Sequence, residues 1–453
     1  MKHSRYMFSS CVVALAAAAI LSLACAAAHA APPSLFSRQS QDAPSKPAQG
    51  KTQKLRNPLN DLLDEAQADL DKNDFEAALI PLQKFLAEKP DVAFVHFQLA
   101  YALTALKRTD EARAEYQKAA ELDPKMAEAQ LNLGILLLEN DPAAAVAPLR
   151  KATELLPAQT RPRYLLGLAL ERSGDTAGAT ASFEAASRLD PNDVETVIHL
   201  GAMYLRNARP ADAEAKFRHA LELQPQSPAA LQGLAQSLDA QKKPDAANAF
   251  RNYLAVQPGD AGARTRLIHI LVEQQQYDAA LAEIDRATPG QPPTVDTLKL
   301  RADVQIAQKK LDDAIVTLRQ AVALAPNDAP LHGGLGSILL LKRDFPAAEK
   351  ELKSALQLDR NNLAYWKDLS SVFYLEGNYP ATLSALDLIA KVETPNAGQW
   401  FIRALCYDKL DQVQPALDAY RKFLELDQNK NPNQVWQANQ RIHVLEKRAQ
   451  NKK

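Results

Sequence analysis

The sequence predicts an all-α fold, a solenoid of short helix pairs, and three recurring observations predict it. An alanine returns every 33 or 34 residues, at Ala78, Ala112, Ala145, Ala179, Ala213, Ala246, Ala280, Ala314 and Ala348, then at Ala416 after a threonine at Thr382. Four places after each stands a large apolar residue: Leu82, Tyr116, Leu149, Phe183, Phe217, Phe250, Ile284, Leu318, Leu352, Leu386 and Tyr420. Twelve places before, or eleven in the shorter units, stands a small one: Ala66, Ala100, Gly134, Gly167, Gly201, Ala235, Ala302, Gly336, Ser370 and Ala404, with Ile268 the exception. A fixed period of this size marks a stack of like supersecondary units in place of one globular core. It also lets a chain of 453 residues grow without the size limit of a single core.

In chain order, residues 1–30 read as a processing signal. Lys2 and Arg5 form a basic start, an apolar stretch runs from about Cys11 to Ala28, and Ala28-His29-Ala30 offers small residues where a cleavage site needs them. The stretch is short for a membrane anchor. The expectation is export, to a periplasmic or secreted location. A second reading makes Cys25 a lipid-modified N-terminus and the protein a membrane-anchored lipoprotein. Ser22-Leu23-Ala24-Cys25 is similar to the bacterial lipoprotein box, with its leucine one place late. Residues 31–57 are rich in Pro, Ser and Gln and have little apolar periodicity, the composition of a disordered linker.

About eleven repeats follow, over residues 58–428. Each reads as helix, tight turn, helix: Leu200, Met203 and Tyr204, then Ala213, Phe217, Ala220 and Leu221, keep a period near 3.6. The small residue lets the facing helix approach and the large one fills the gap. A leucine precedes the small residue in eight units; Glu65, Arg301 and Arg403 stand there in the other three. Asp110, Asp175, Asp278 and Asp312 suit N-cap roles, and Pro346 and Pro380 the first helical turn. Pro90, Pro124, Pro157, Pro191, Pro225, Pro258 and Pro326 close units, and units seven, ten and eleven depart at that point. Residues 429–453 break at Asn431-Pro432-Asn433, then form a capping helix from about Gln434 to Arg448 and a fraying tail. Val435, Ala438, Ile442 and Leu445 line one face of that helix.

These residues resemble the tetratricopeptide repeat (TPR) family. Its pattern places Leu-Gly/Ala and an aromatic in the first helix, Ala, Phe/Tyr and Ala in the second, and Pro at the end. The fifth unit matches throughout, with Leu200, Gly201, Tyr204, Ala213, Phe217, Ala220 and Pro225. Leu103, Leu137 and Leu170 stand at the family's tyrosine position. The resemblance implies a right-handed α-solenoid whose first helices line a concave face.

Chemistry-bearing motifs are scarce. There is no C-x-x-C, H-E-x-x-H or P-loop. Gly333-Gly334-Leu335-Gly336 falls inside a first helix and reads as close packing, not a phosphate cradle. His96, His199, His219, His269, His332 and His443 are scattered without metal spacing. Asp312-Asp313 lies at a turn, where helix capping explains it better than acid-base catalysis. Cys406, alone outside the leader, reads as a small buried apolar side chain. The expectation is no enzyme, no cofactor and no metal. Basic and acidic residues number 53 and 54; without residues 1–30, 51 bases face 54 acids. That balance argues against a nucleic-acid partner, which needs a concentrated basic face. A membrane partner is expected only with lipidation at Cys25.

What remains is the groove. The resemblance makes the second, fifth, ninth and twelfth places of each first helix its lining. In units two to five these places hold Phe94, Phe97, Tyr101, Leu131, Ile135, Leu138, Tyr164, Leu168, Ile198 and Leu205, rimmed by Glu128, Arg161, Glu171 and Glu195. An apolar and aromatic run of that extent points to protein or peptide binding. Part of it, Leu131 and Leu168 above all, reads also as packing between successive first helices. Units six to eight carry Gln232, Gln236, Asp239, Lys299 and Asp303 instead. The family's Lys-and-Asn grip on a peptide C-terminus is not found, since Asp303 and Ser371 replace the asparagines. The expected function is a non-enzymatic scaffold that holds an extended peptide or partner helix. The alternative is an envelope assembly factor in polysaccharide export or outer-membrane biogenesis.

Overall fold

The computed structural model describes residues 58–287, 290 and 292–451. The expected signal, the linker, Cys11, Cys25 and the two final lysines lie outside the described residues. Of the chain's two compact units, Met1–Asp61 contributes only the opening residues of its first helix; the second runs from Leu62 onward. Among the described residues the structure is helices and connections, without strand.

The first six hairpins pair α1 (Pro58–Asp71) with α2 (Phe75–Glu88), α3 (Ala93–Ala105) with α4 (Thr109–Leu122), and α5 (Ala127–Asn140) with α6 (Pro142–Leu155), then α7 (Thr160–Arg172) with α8 (Thr176–Leu189), α9 (Val194–Arg206) with α10 (Pro210–Leu223), and α11 (Pro228–Ala240) with α12 (Ala246–Val256). The next five pair α13 (Ala261–Glu273) with α14 (Tyr277–Ala287), α15 (Val295–Ala307) with α16 (Leu311–Leu324), and α17 (Ala329–Leu341) with α18 (Phe345–Leu358), then α19 (Leu363–Leu375) with α20 (Tyr379–Ala390), and α21 (Ala397–Lys409) with α22 (Val413–Asp427). A last helix, α23 (Pro432–Asn451), follows. From α2 onward each helix packs on the next, and α5 touches α7, α9 touches α11 and α17 touches α19. The array is an α-solenoid.

The small-to-large rule holds atom by atom. A Cβ on Gly167 would lie 2.6 Å from the Phe183 ring, one on Gly134 2.4 Å from Leu149, and one on Gly336 2.7 Å from Leu352. Phe217 fills the gap over Gly201 and also over Gly233 of the next unit. The recurring alanines Ala78, Ala112, Ala145, Ala179, Ala213, Ala280, Ala314, Ala348 and Ala416 are fully buried, as are Leu82, Leu149 and Phe183. In the glycine-rich stretch of α17, Gly333 makes room for the Tyr365 ring of the next unit.

The turn inside ten of the eleven hairpins follows one design. Its residue Asn73, Lys107, Gly174, Ala208, Lys242, Gln275, Lys309, Arg343, Gly377 or Asp411 has positive φ. The next N–H reaches back to a carbonyl five residues earlier, as in Arg108 to Leu103 (2.9 Å) and Asn378 to Phe373 (2.8 Å), which closes the first helix in a Schellman-type cap. Unit three is a residue shorter and lacks the left-handed residue; Asp141 ends α5 and caps α6 at once.

Capping corrects part of the sequence reading. Asp175 caps α8, accepting from the Gly178 N–H at 2.8 Å. Asp110, Asp278 and Asp312 fall inside the first turns of α4, α14 and α16. The cap belongs to the residue after the left-handed one, which is Arg108 before α4 and Lys310 before α16. The acids inside the first turn meet the helix dipole instead. Pro346 and Pro380 do lie in first turns. The last helix begins two residues earlier than expected and ends three later. Ala438 and Leu445 are buried, with Val435 and Ile442 packed on the same cluster as Phe401, Tyr420 and Phe423.

Candidate protein-interaction surface

The eight residues singled out for the groove all lie on first helices. Phe94, Phe97 and Tyr101 are on α3, Leu131 and Ile135 on α5, Tyr164 and Leu168 on α7, and Ile198 on α9. Phe94 is 42% exposed and the other seven are half-buried. Each half-buried ring or branch rests on the array and keeps a side to water. Phe97 packs 5.8 Å from the buried Tyr116 ring, centroid to centroid, and Tyr101 meets Phe75 edge-on at 5.9 Å. Leu131, Tyr164, Leu168 and Ile198 pack against the core cluster that holds Leu149, Phe183 and Leu200. The row therefore serves both as inner packing and as a solvent-facing apolar strip. Leu138, also expected in the strip, is buried.

Around Tyr164 the strip carries polar chemistry. Its ring is 5.9 Å from Phe183 and 5.7 Å from His199, and His199 stacks on Phe183 at 5.3 Å. His199 Nδ1 lies 3.2 Å from Glu171, whose other oxygen accepts from Arg206 at 2.9 Å. Burial pushes the Glu171 carboxyl up, but the hydrogen bonds and charges of His199 and Arg206 together outweigh it and hold the group below its ordinary value. Burial, then the Glu195 charge, pushes the Tyr164 phenol up. Glu128, Arg161 and Glu195 are exposed beside the strip.

Sequence reasoning missed the acid at the twelfth place pairing with the following first helix. Asp239 accepts two hydrogen bonds from Arg266 at 2.6 Å, as Glu171 pairs with His199 and Arg206. The signal was present in the separation, 27 or 28 residues, of acid from base. Lys299 and Lys367, at the places a carboxylate grip would use, are engaged with Asp328 (2.8 Å) and Glu393 (2.9 Å). Asp303 is exposed as a residue, yet burial around its carboxyl pushes it up to about 6 while Lys299 pulls it down.

His96, His332 and Cys406 are built into the fold. His96 links Glu115 and the Pro90 carbonyl, both at 2.6 Å, and His332 links Glu351 and the Pro326 carbonyl in the same way. Cys406 is fully buried, and burial pushes its thiol up to about 11. Among the described residues no group of three or more His, Cys, Asp or Glu is placed to hold a metal ion. No described helix is long and apolar enough to cross a membrane.

Tetratricopeptide repeat profiles match residues 100–141, 131–194, 164–228, 200–247, 244–303, 305–371 and 400–429. Among solved structures, MamA from Desulfovibrio magneticus RS-1 is 24% identical, covering 38% of this chain and 97% of its own, at a TM-score of 0.35. YrrB, titled a TPR protein with an unusual peptide-binding site, is 21% identical over 42% of this chain and 96% of its own, at 0.38. Yeast Tom70 is 15% identical over 87% and 99%, at 0.36. No curated protein matches the chain. The matched segments span most of the array, and the hairpins carry the family's small-to-large contacts at the family's places. The chain belongs to the tetratricopeptide repeat family.

Proposed function

We propose that the protein is a non-enzymatic interaction scaffold that holds an extended peptide or a partner's helix along the first helices of units two to five. The observation that carries this is the row from Phe94 to Ile198, apolar and aromatic side chains on four first helices, one exposed and the others half-buried. Surfaces of that kind usually bind, and rigid aromatic side chains give contact area at small entropic cost. Affinity would come from many modest contacts on a preformed surface. We infer export as well, from the leader-like residues 1–30; the mass of the processed chain, cut after Ala30 or lipidated at Cys25, tests that separately.

Substituting Phe94, Tyr101 and Tyr164 by Asp, singly, tests the strip. The expected result is lost partner capture with little change in melting temperature for Phe94→Asp, the most exposed of the three. Capture that survives all three changes would remove the proposal. A loss that follows melting temperature across the set would assign the strip to the core.

A further inference from the structure

One polar slot recurs in three hairpins with different occupants. Four places before the small-residue position of units two, seven and nine stand His96, Arg264 and His332. Each meets two acceptors at matched places. One is the carbonyl of a proline six residues back: Pro90 at 2.6 Å, Pro258 at 2.7 Å and Pro326 at 3.0 Å. The other is a glutamate on the second helix of the same hairpin: Glu115 at 2.6 Å, Glu283 at 3.2 Å and Glu351 at 2.6 Å. Glutamate stands three places after the recurring Ala112, Ala280 and Ala348, and at that place in no other unit. Units ten and four supply the contrast. Trp366 fills the slot of unit ten and gives its single N–H to the Arg360 carbonyl at 2.9 Å, with Ala385 at the glutamate's place. Arg163 in unit four, with Ser182 at that place, turns to the Gln159 carbonyl instead. The acid goes with a slot that donates twice.

Two acceptors need two donors. The Arg264 guanidinium has them at every pH near neutrality. A neutral imidazole has one N–H, so it serves either the carbonyl or the carboxylate and turns a lone pair to the other, whereas the imidazolium serves both. Both histidine rings are buried, so water does not substitute freely for a lost partner. The surroundings leave the glutamate as the charge each ring answers. Around His96, every charged side chain of α2 and α4 other than Glu115 is exposed, and among the described residues none of them bonds to the ring; Tyr101 is the one other ionisable group on α3. Around His332, Asp328 stands four places back and pairs with Lys299 at 2.8 Å, Glu349 pairs with Lys353, and Asp368 of α19 accepts from Ser337. The Tyr365 phenol ring lies over Gly333, and Asp312, Asp313 and Arg319 of α16 are exposed.

We propose that His96 and His332 carry both ring protons in the folded chain and act as pH-dependent clamps between the two helices of hairpins two and nine, where Arg264 makes the permanent form of the same clamp in hairpin seven. Unfolding returns each ring to water, where histidine loses a proton near pH ~6.5. A folded state that keeps that proton binds more protons than the unfolded one above that pH. The clamps therefore contribute fully below pH ~6.5, and their contribution is lost as pH rises beyond it. Nitrogen NMR of the full chain, with the histidine rings labelled, tests this at about pH 7.5, where a free imidazole is mostly neutral. In the folded chain both nitrogens of His96 and His332 should give protonated shifts, and in urea only one per ring. The single variants His96→Arg and His332→Arg assign the signals by their loss and copy the arrangement at Arg264. In the double variant Glu115→Gln with Glu351→Gln, the amide can donate to Nδ1 and a neutral ring fits, so the second proton should be gone at the same pH. Between about pH 6 and 8 the melting temperature of the unaltered chain should fall by at least about 2 °C more than that of the glutamine variant. One protonated nitrogen per ring in the folded unaltered chain would overturn the proposal, as would melting curves of the two proteins that run parallel across that range.

Discussion

At the scale of single residues, two backbone demands recur through the array. One is the left-handed turn residue. Eight of the ten hairpins that use it place a side chain there, for example Ala208 (φ 54°) and Gln275 (φ 60°). An L-residue pays on the order of 1 kcal/mol for that conformation, and glycine does not. Ala208→Gly should therefore raise stability by about 1 kcal/mol, read as a shift in urea midpoint without change in slope. The other demand is the small residue under a large one. Gly167→Ala drives a methyl group into Phe183 and should cost about 1–3 kcal/mol; adding Phe183→Leu should recover part of it. Asp303 gives a pH test. Its ordinary value is 3.8 and burial raises it to about 6 in the folded chain. The folded state then binds more protons than the unfolded between those values, so this group lowers stability as pH rises from about 4 to 6. Asp303→Asn should raise the melting temperature at neutral pH, with the gain gone by about pH 4.

The helix pair was the most legible element. Alanine spacing, the small residue before it and the large one after it place both helices, because close packing leaves few side chains that fit, as Gly167 and Phe183 illustrate. Caps were less legible. Asp110 and Asp312 look like caps in sequence, but where the helix starts depends on the left-handed turn. In this chain that turn holds lysine at Lys107, Lys242 and Lys309 and alanine at Ala208 despite the cost, and glycine only at Gly174 and Gly377, so it leaves little trace in composition. The candidate strip was legible as positions, not as exposure. A periodic pattern places Leu131 and Leu138 alike on an inner face, yet only packing by the following hairpins decides that Leu138 is buried and Leu131 half-open. The last helix depends on a charge contact that spacing did not show. Arg441 donates twice to Asp408 at 2.7 Å, with the Asp408 side chain 9% exposed. Arg441→Ala leaves a buried carboxylate poorly compensated and should cost about 2 kcal/mol, at the low side because the arginine is partly solvated. A thermal melt that does not shift would place the cap's stability in Ala438 and Leu445 alone.

For the whole molecule, stability is a sum of hairpins and the boundaries between them, since helices touch mainly their neighbours in sequence. A chain built this way can present one long face without a single compact core. Function then rests on which face meets a partner. Exposed apolar residues occur on the second helices too, as at Ile80 (57%) and Val316 (56%), so exposure alone does not choose between the faces. A photo-crosslinking amino acid placed at position 94, 101 or 164, and in parallel at 80 or 316, chooses directly in the native cell. Adducts to a common partner from the first-helix positions, with none from 80 and 316, are the predicted result. Adducts from 80 and 316 alone would contradict the account.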